Sequence, residues 1–122
     1  SEIQELIEAK DYATAEKQIV DLRGNKKLSD YERAQIWNIT AYGYYLQERY
    51  ADAIDAYDQV LAQPGLPEAL LQSTLKTQSQ LYFTQEDYES ALVVIRKLMD
   101  IIPEPSADVY MIEGQALFHL GL

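Results

Sequence analysis

The chain has 122 residues, 48% of them apolar, with 5 Gly and 4 Pro, which suits one folded domain with little coil. Its formal charge of −10, from 20 acids against 10 bases, argues against nucleic acid or an anionic bilayer as the main partner, because phosphate binding needs a basic stripe. With no Cys there is no disulfide frame, thiol nucleophile or thiolate metal site, and no apolar run approaches the roughly 20 residues that insert into a bilayer.

Internal repetition dominates the pattern. Lys10-Asp11-Tyr12-Ala13-Thr14-Ala15, Glu48-Arg49-Tyr50-Ala51-Asp52-Ala53 and Glu86-Asp87-Tyr88-Glu89-Ser90-Ala91 align without gaps, their last alanines 38 positions apart. Each continues as one apolar helix face: Ile19 and Leu22, then Tyr57 and Val60, then Ile95 and Leu98. The Ala at the head of each face lets two helices approach closely.

Taken along the chain, Ser1 opens in mid-helix, as expected of a piece of a longer chain, and Gly24 ends the helix that follows Tyr12. Ser29 with Glu32 forms a capping-box signature and predicts a helix to about Gln47, carrying Ile36, Trp37, Tyr44 and Tyr45. The helix after Tyr50 stops at Pro64-Gly65. Pro67 is expected at the first position of the next helix, which runs to about Thr84 through Leu71, Leu75, Leu81 and Tyr82. Pro103 and Pro105 stop the helix after Tyr88, and Ser106 caps a last one to Leu120. The prediction is all-α, with about seven helices in antiparallel pairs. The partial repeat 1–28, repeats 29–65 and 66–104 and the partial repeat 105–122 form a single domain.

These residues resemble the tetratricopeptide repeat family. Trp37, Ala41, Tyr44, Ala53, Tyr57, Val60 and Pro64 carry its pattern in the second repeat. The third offers Leu75, Ser79, Tyr82, Ala91, Ile95, Leu98 and Pro103, and the fourth Tyr110, Gly114, Leu117 and Gly121. The family's repeat is usually about 34 residues; here the first helices look about one turn longer, and Thr40, Gln78 or Glu113 replaces the usual Leu. A narrower likeness covers most of the chain: Tyr31-Glu32-Arg33-Ala34, Trp37-Asn38, Val60-Leu61-Ala62-Gln63-Pro64, Gln80-Leu81-Tyr82-Phe83 and Pro105-Ser106-Ala107. This wording is similar to periplasmic tetratricopeptide proteins that accompany the TonB, ExbB and ExbD energy-transducing system of some Gram-negative bacteria.

The resemblance implies a right-handed superhelical stack, a solenoid whose first helices line a concave groove for a partner protein or peptide. Its groove positions fall on Gln35, Asn38, Tyr42, Tyr45 and Leu46, on Ser73, Lys76, Gln80, Phe83 and Thr84, and on Asp108, Met111, Gln115, Phe118 and His119. Tyr45, Phe83 and Phe118 take equivalent places, where they either form a binding ladder or pad contacts between hairpins. Trp37, Tyr44 and Tyr82 fall at core positions. The clamp that some members use for acidic chaperone tails is incomplete, since Asp108 and Ile112 stand where basic residues are needed.

No catalytic motif surrounds the single His119, and Asp52, Asp55 and Asp58, three apart on a helix, read as a solvated face. The expectation is a non-enzymatic scaffold without cofactor or metal, possessing a protein partner, periplasmic if the narrower resemblance holds and otherwise a cytoplasmic adaptor. The alternatives are a self-associating module that dimerises through its open repeat ends, or a docking arm of a larger enzyme.

Overall fold

In the computed structural model, which describes residues 1–122, every regular element is an α-helix. In order these are α1 (Glu2–Glu8), α2 (Tyr12–Arg23), α3 (Asp30–Leu46), α4 (Tyr50–Leu61), α5 (Glu68–Thr84), α6 (Tyr88–Ile101) and α7 (Ala107–His119). The chain divides into two compact units, Ser1–Leu66 with α1 to α4 and Pro67–Leu122 with α5 to α7. Within the first, α1 packs on α2, α2 on α3 and α3 on α4; within the second, α5 packs on α6, and α7 on both. None of the helices is long and apolar enough to cross a membrane.

Local chemistry explains the starts. Ser29 accepts from the Glu32 N–H at 3.1 Å while Glu32 accepts from the Ser29 N–H at 3.0 Å, so both ends of the expected capping box close. Asp11 and Asp87 cap α2 and α6 through Thr14 and Ser90. Arg49, at the equivalent place before α4, has no acceptor to offer; it bonds Asp52 at 2.9 Å and lies over the Tyr44 ring. Ser1 accepts from the Gln4 N–H at the head of α1. Two starts differ from the sequence expectation. Pro67 is a cap, with ψ 141°, one place before the first helical residue. Ser106 caps by position, but its hydroxyl turns to the Asp108 carboxylate and not to a backbone N–H.

The turns share a feature that residue type conceals. Lys10, Glu48 and Glu86 have φ of 64°, 58° and 60°, a left-handed conformation usually left to glycine, and they recur with the repeat. Gly121 takes the same place after α7, with φ 76°. Around each, two backbone bonds close the helix end: Glu48 N–H to Tyr45 C=O and Arg49 N–H to Tyr44 C=O are one example, at 3.0 and 2.9 Å. Chain reversal is therefore written into every hairpin. It needs only three residues between α3 and α4, and again between α5 and α6.

Alanine marks the tight crossings. Ala53 and Ala91 are fully buried, as are Ala41 and Ser79 on the first helices of the same hairpins. Ile3, Ile7, Ala15 and Ile19 form a core cluster against which Leu6, Tyr12, Ile36 and Ile39 pack. In the second unit Leu75, Leu81, Ile95, Leu98, Val109 and Ala116 are buried. Truncating a fully buried Ile such as Ile95 to Ala costs about 2–5 kcal/mol in this kind of environment. The three polar replacements are accommodated differently: Thr40 donates to the Ile36 carbonyl at 2.7 Å, Gln78 is buried, and Glu113 pairs with Arg96 of α6 at 3.2 Å. Trp37 is half-buried beneath the Arg23 guanidinium, 4.3 Å from the ring centroid.

Candidate functional site

In the first unit, the start of α1, the end of α2, the loop before α3 and one face of α3 enclose an open cleft of about 750 Å³. Three residues singled out in the sequence, Gln35, Asn38 and Tyr42, line it together. Steps of three and four along α3 put them on one side, and Ile36 and Ile39 on the same helix supply apolar floor. Ile3, Leu22 and Leu28 complete that floor. A volume of this size with an apolar floor and a few amides is what ligand and anchor-residue pockets share.

Tyr57 reaches the cleft from α4, with its side chain buried. Desolvation pushes its phenol above the usual tyrosine value, and the nearby Tyr45 and Tyr42 phenols add to the shift. The phenol therefore stays neutral as a hydrogen-bonding group through the physiological range. Glu32, at the rim, is held below the usual carboxylate value by its bonds to Ser29, backbone first and hydroxyl second.

Tyr45 is exposed but stands outside the cleft lining; its ring meets Tyr50 at a centroid distance of 5.9 Å, tilted by 54°. In the second unit Phe83 makes the same contact one repeat later, edge-on to Tyr88 at 5.1 Å. His119 then stacks on Tyr88 with centroids 4.2 Å apart and planes within 3°, and Phe118 meets His119 edge-on at 5.8 Å. Tyr45 and Phe83 thus each brace the start of the second helix in their own hairpin. Only Phe118, at 79% exposure, retains most of its ring for a partner.

Leu46, at the end of α3, is exposed, and the remaining sequence-predicted positions lie on α5 and α7. Gln80, Met111 and Gln115 are exposed. Lys76 forms an ion pair with Asp108, which also accepts from Ser106. The hydrogen bond from Lys76, ahead of that from Ser106, lowers the Asp108 carboxyl from 3.8 to about 2. A cation already matched to a carboxylate is a poor clamp for an acidic tail, in line with the incomplete clamp pattern.

Sequence reasoning missed most of the cleft outside α3. Leu22 was expected beside Ile19 on a core face; Ile19 is buried, while Leu22 stays 41% exposed and lines the cleft. Ile3, Gln4 and Leu28 belong to a partial repeat for which the resemblance offered no groove positions. Tyr50 and Tyr88, the ring partners, were visible as the repeated Tyr of each aligned segment, and their spacing of five from Tyr45 and Phe83 was the available signal. No protein-family model matches the chain, and no curated protein matches it.

Proposed function

We propose that the chain is a tetratricopeptide-type interaction module that holds a segment of a partner protein in the cleft between α1, α2 and α3. The observation that carries this reading is the convergence of Gln35, Asn38 and Tyr42 on one open, apolar-floored hollow. These are the positions that the repeat resemblance assigns to partner contact. Such a site acts by shape and by a few amide and phenol hydrogen bonds; its chemistry is recognition, with no catalytic step.

The finer reading is that the partner belongs to an envelope transport assembly of the TonB, ExbB and ExbD kind, with the module acting in the periplasm. It rests on the wording of the sequence alone. Site-directed photo-crosslinking tests both levels, with a photoreactive residue at position 42 and, as a control, at Asp55 on the outer face of α4. Position 42 is expected to give one discrete adduct that position 55 does not. Adducts equal at both positions would refute the cleft as the seat. An adduct identified as a protein outside such an assembly would refute the finer reading alone.

Self-association is favoured by a separate observation. On α7, Met111 and Phe118 are 59% and 79% exposed, an apolar display that a second copy could cover. Analytical ultracentrifugation of the chain and of its Met111→Lys/Phe118→Lys variant decides this. A concentration-dependent dimer lost in the variant supports it, and a monomer in both refutes it.

A further inference from the structure

Beside the main cleft lies a second hollow of about 520 Å³, and the two share Ser1, Ile3 and Leu22. Together they form one trough at the start of α1. The charged side chains that line it are Glu2 and Asp21 in the smaller hollow and Glu32 in the larger. No Lys or Arg side chain lines either part. Lys26 and Lys27 lie in the loop before α3 without lining the trough.

We propose that the trough binds a basic amphipathic segment, one that seats an aliphatic or aromatic side chain on the apolar floor and brackets it with Lys or Arg facing Glu2, Asp21 and Glu32. The proposal rests on the reading of this cleft as the partner seat and adds the chemical class of the partner. Three features carry it, and the state of Glu32 supports them. The floor of Ile3, Leu22, Leu28, Ile36 and Ile39 is apolar and needs an apolar guest. The rim charges have one sign. The field of the whole unit has the same sign, with twelve Asp and Glu against seven Lys and Arg in residues 1–66, so an incoming acidic segment is repelled and a basic one steered. Glu32 keeps its charge to lower pH than an ordinary glutamate, because Ser29 bonds its carboxylate.

Exposed ion pairs are individually weak, and three together amount to about a ten-fold change in affinity. That sets the size of the test. Two short synthetic peptides share one pattern of Leu and Trp; one carries Lys at every charged place and the other Glu. Each is titrated into the 122-residue chain by calorimetry at low and high salt. The same is done with two variants whose fold is checked by circular dichroism: Gln35→Ala/Tyr42→Ala, which alters the cleft wall, and Glu2→Gln/Asp21→Asn, which alters only rim charge.

The expected result is that the Lys peptide binds about ten-fold or more tighter than the Glu peptide, with the gap narrowing at high salt. Gln35→Ala/Tyr42→Ala should weaken it, and Glu2→Gln/Asp21→Asn should shrink the gap. Equal binding of both peptides, lost in Gln35→Ala/Tyr42→Ala, overturns the charge proposal and leaves the seat intact. Tighter binding of the Glu peptide overturns it as well. Failure of both peptides to bind, or binding untouched by Gln35→Ala/Tyr42→Ala, sinks the seat reading and the proposal with it.

Discussion

Glu48 and Glu86 hold the left-handed conformation that Gly121 adopts at the matching place after α7. A Cβ there crowds the following carbonyl at roughly 1–2 kcal/mol, while glycine gives back roughly 0.5–1 kcal/mol through its freer unfolded chain. Replacing Glu48 by Gly is therefore expected to stabilise the fold by about 0.5–1 kcal/mol, and adding Glu86→Gly should about double the gain. In a chain of this length 1 kcal/mol corresponds to about 3–5 °C in Tm. Glu48→Ala is the control: it removes the same carboxylate near the end of α3 but keeps a Cβ, so its difference from Gly isolates the backbone effect. Glu48→Val, branched at Cβ, should be the least stable of the set. Urea unfolding followed by circular dichroism, with midpoint and slope fitted together, reads the parent chain and all four variants. If Glu48→Gly proved no more stable than Glu48→Ala, the strain argument would be wrong.

Three further outcomes are expected. Asp87→Ala removes the acceptor of the Ser90 N–H, 3.2 Å away, and should cost about 1 kcal/mol in urea unfolding; an unchanged midpoint would contradict the cap. Gly114→Ala should stabilise α7 by about 1 kcal/mol, because a Cβ there meets nothing within 4 Å; a destabilised variant would mean that α7 lies closer to a neighbour. Asp108 is depressed from 3.8 to about 2, so its pairing with Lys76 and Ser106 is fully present above pH 3.8 and is lost as pH falls through about 2. Asp108→Asn should flatten thermal stability across that window, and an undiminished pH slope would refute the pairing.

How much was legible before any coordinates depends on which residues carry the signal. The repeat of Ala15, Ala53 and Ala91 is a packing requirement expressed as residue size, so it can be read directly and each of these alanines is buried. Ser29 and Glu32 act within one turn, and their capping box forms as read. The turns were opaque because Lys10, Glu48 and Glu86 occupy a glycine conformation without being glycine, which no residue-type rule detects. The Lys76–Asp108 pair joins residues far apart in sequence, on α5 and α7, and so was read as two separate groove positions. Tyr45 and Phe83 were rightly seen as equivalent, yet ring contacts with Tyr50 and Tyr88 decide what they do, and those depend on the hairpin angle. Leu22 shows the same limit: helical spacing puts it beside Ile19, but it stays exposed and lines the cleft with Ile3 and Ile36 of other helices.

Hydrogen–deuterium exchange tests the central claim most directly, comparing the free chain with the complex trapped from position 42. If the cleft is the seat, protection gained on binding will concentrate in α1, the end of α2 and the α3 turns bearing Gln35, Asn38 and Tyr42. The outer face of α4 and the length of α6 will exchange as before. Protection that instead gathers on α7, leaving α1 and α3 unchanged, would contradict the account.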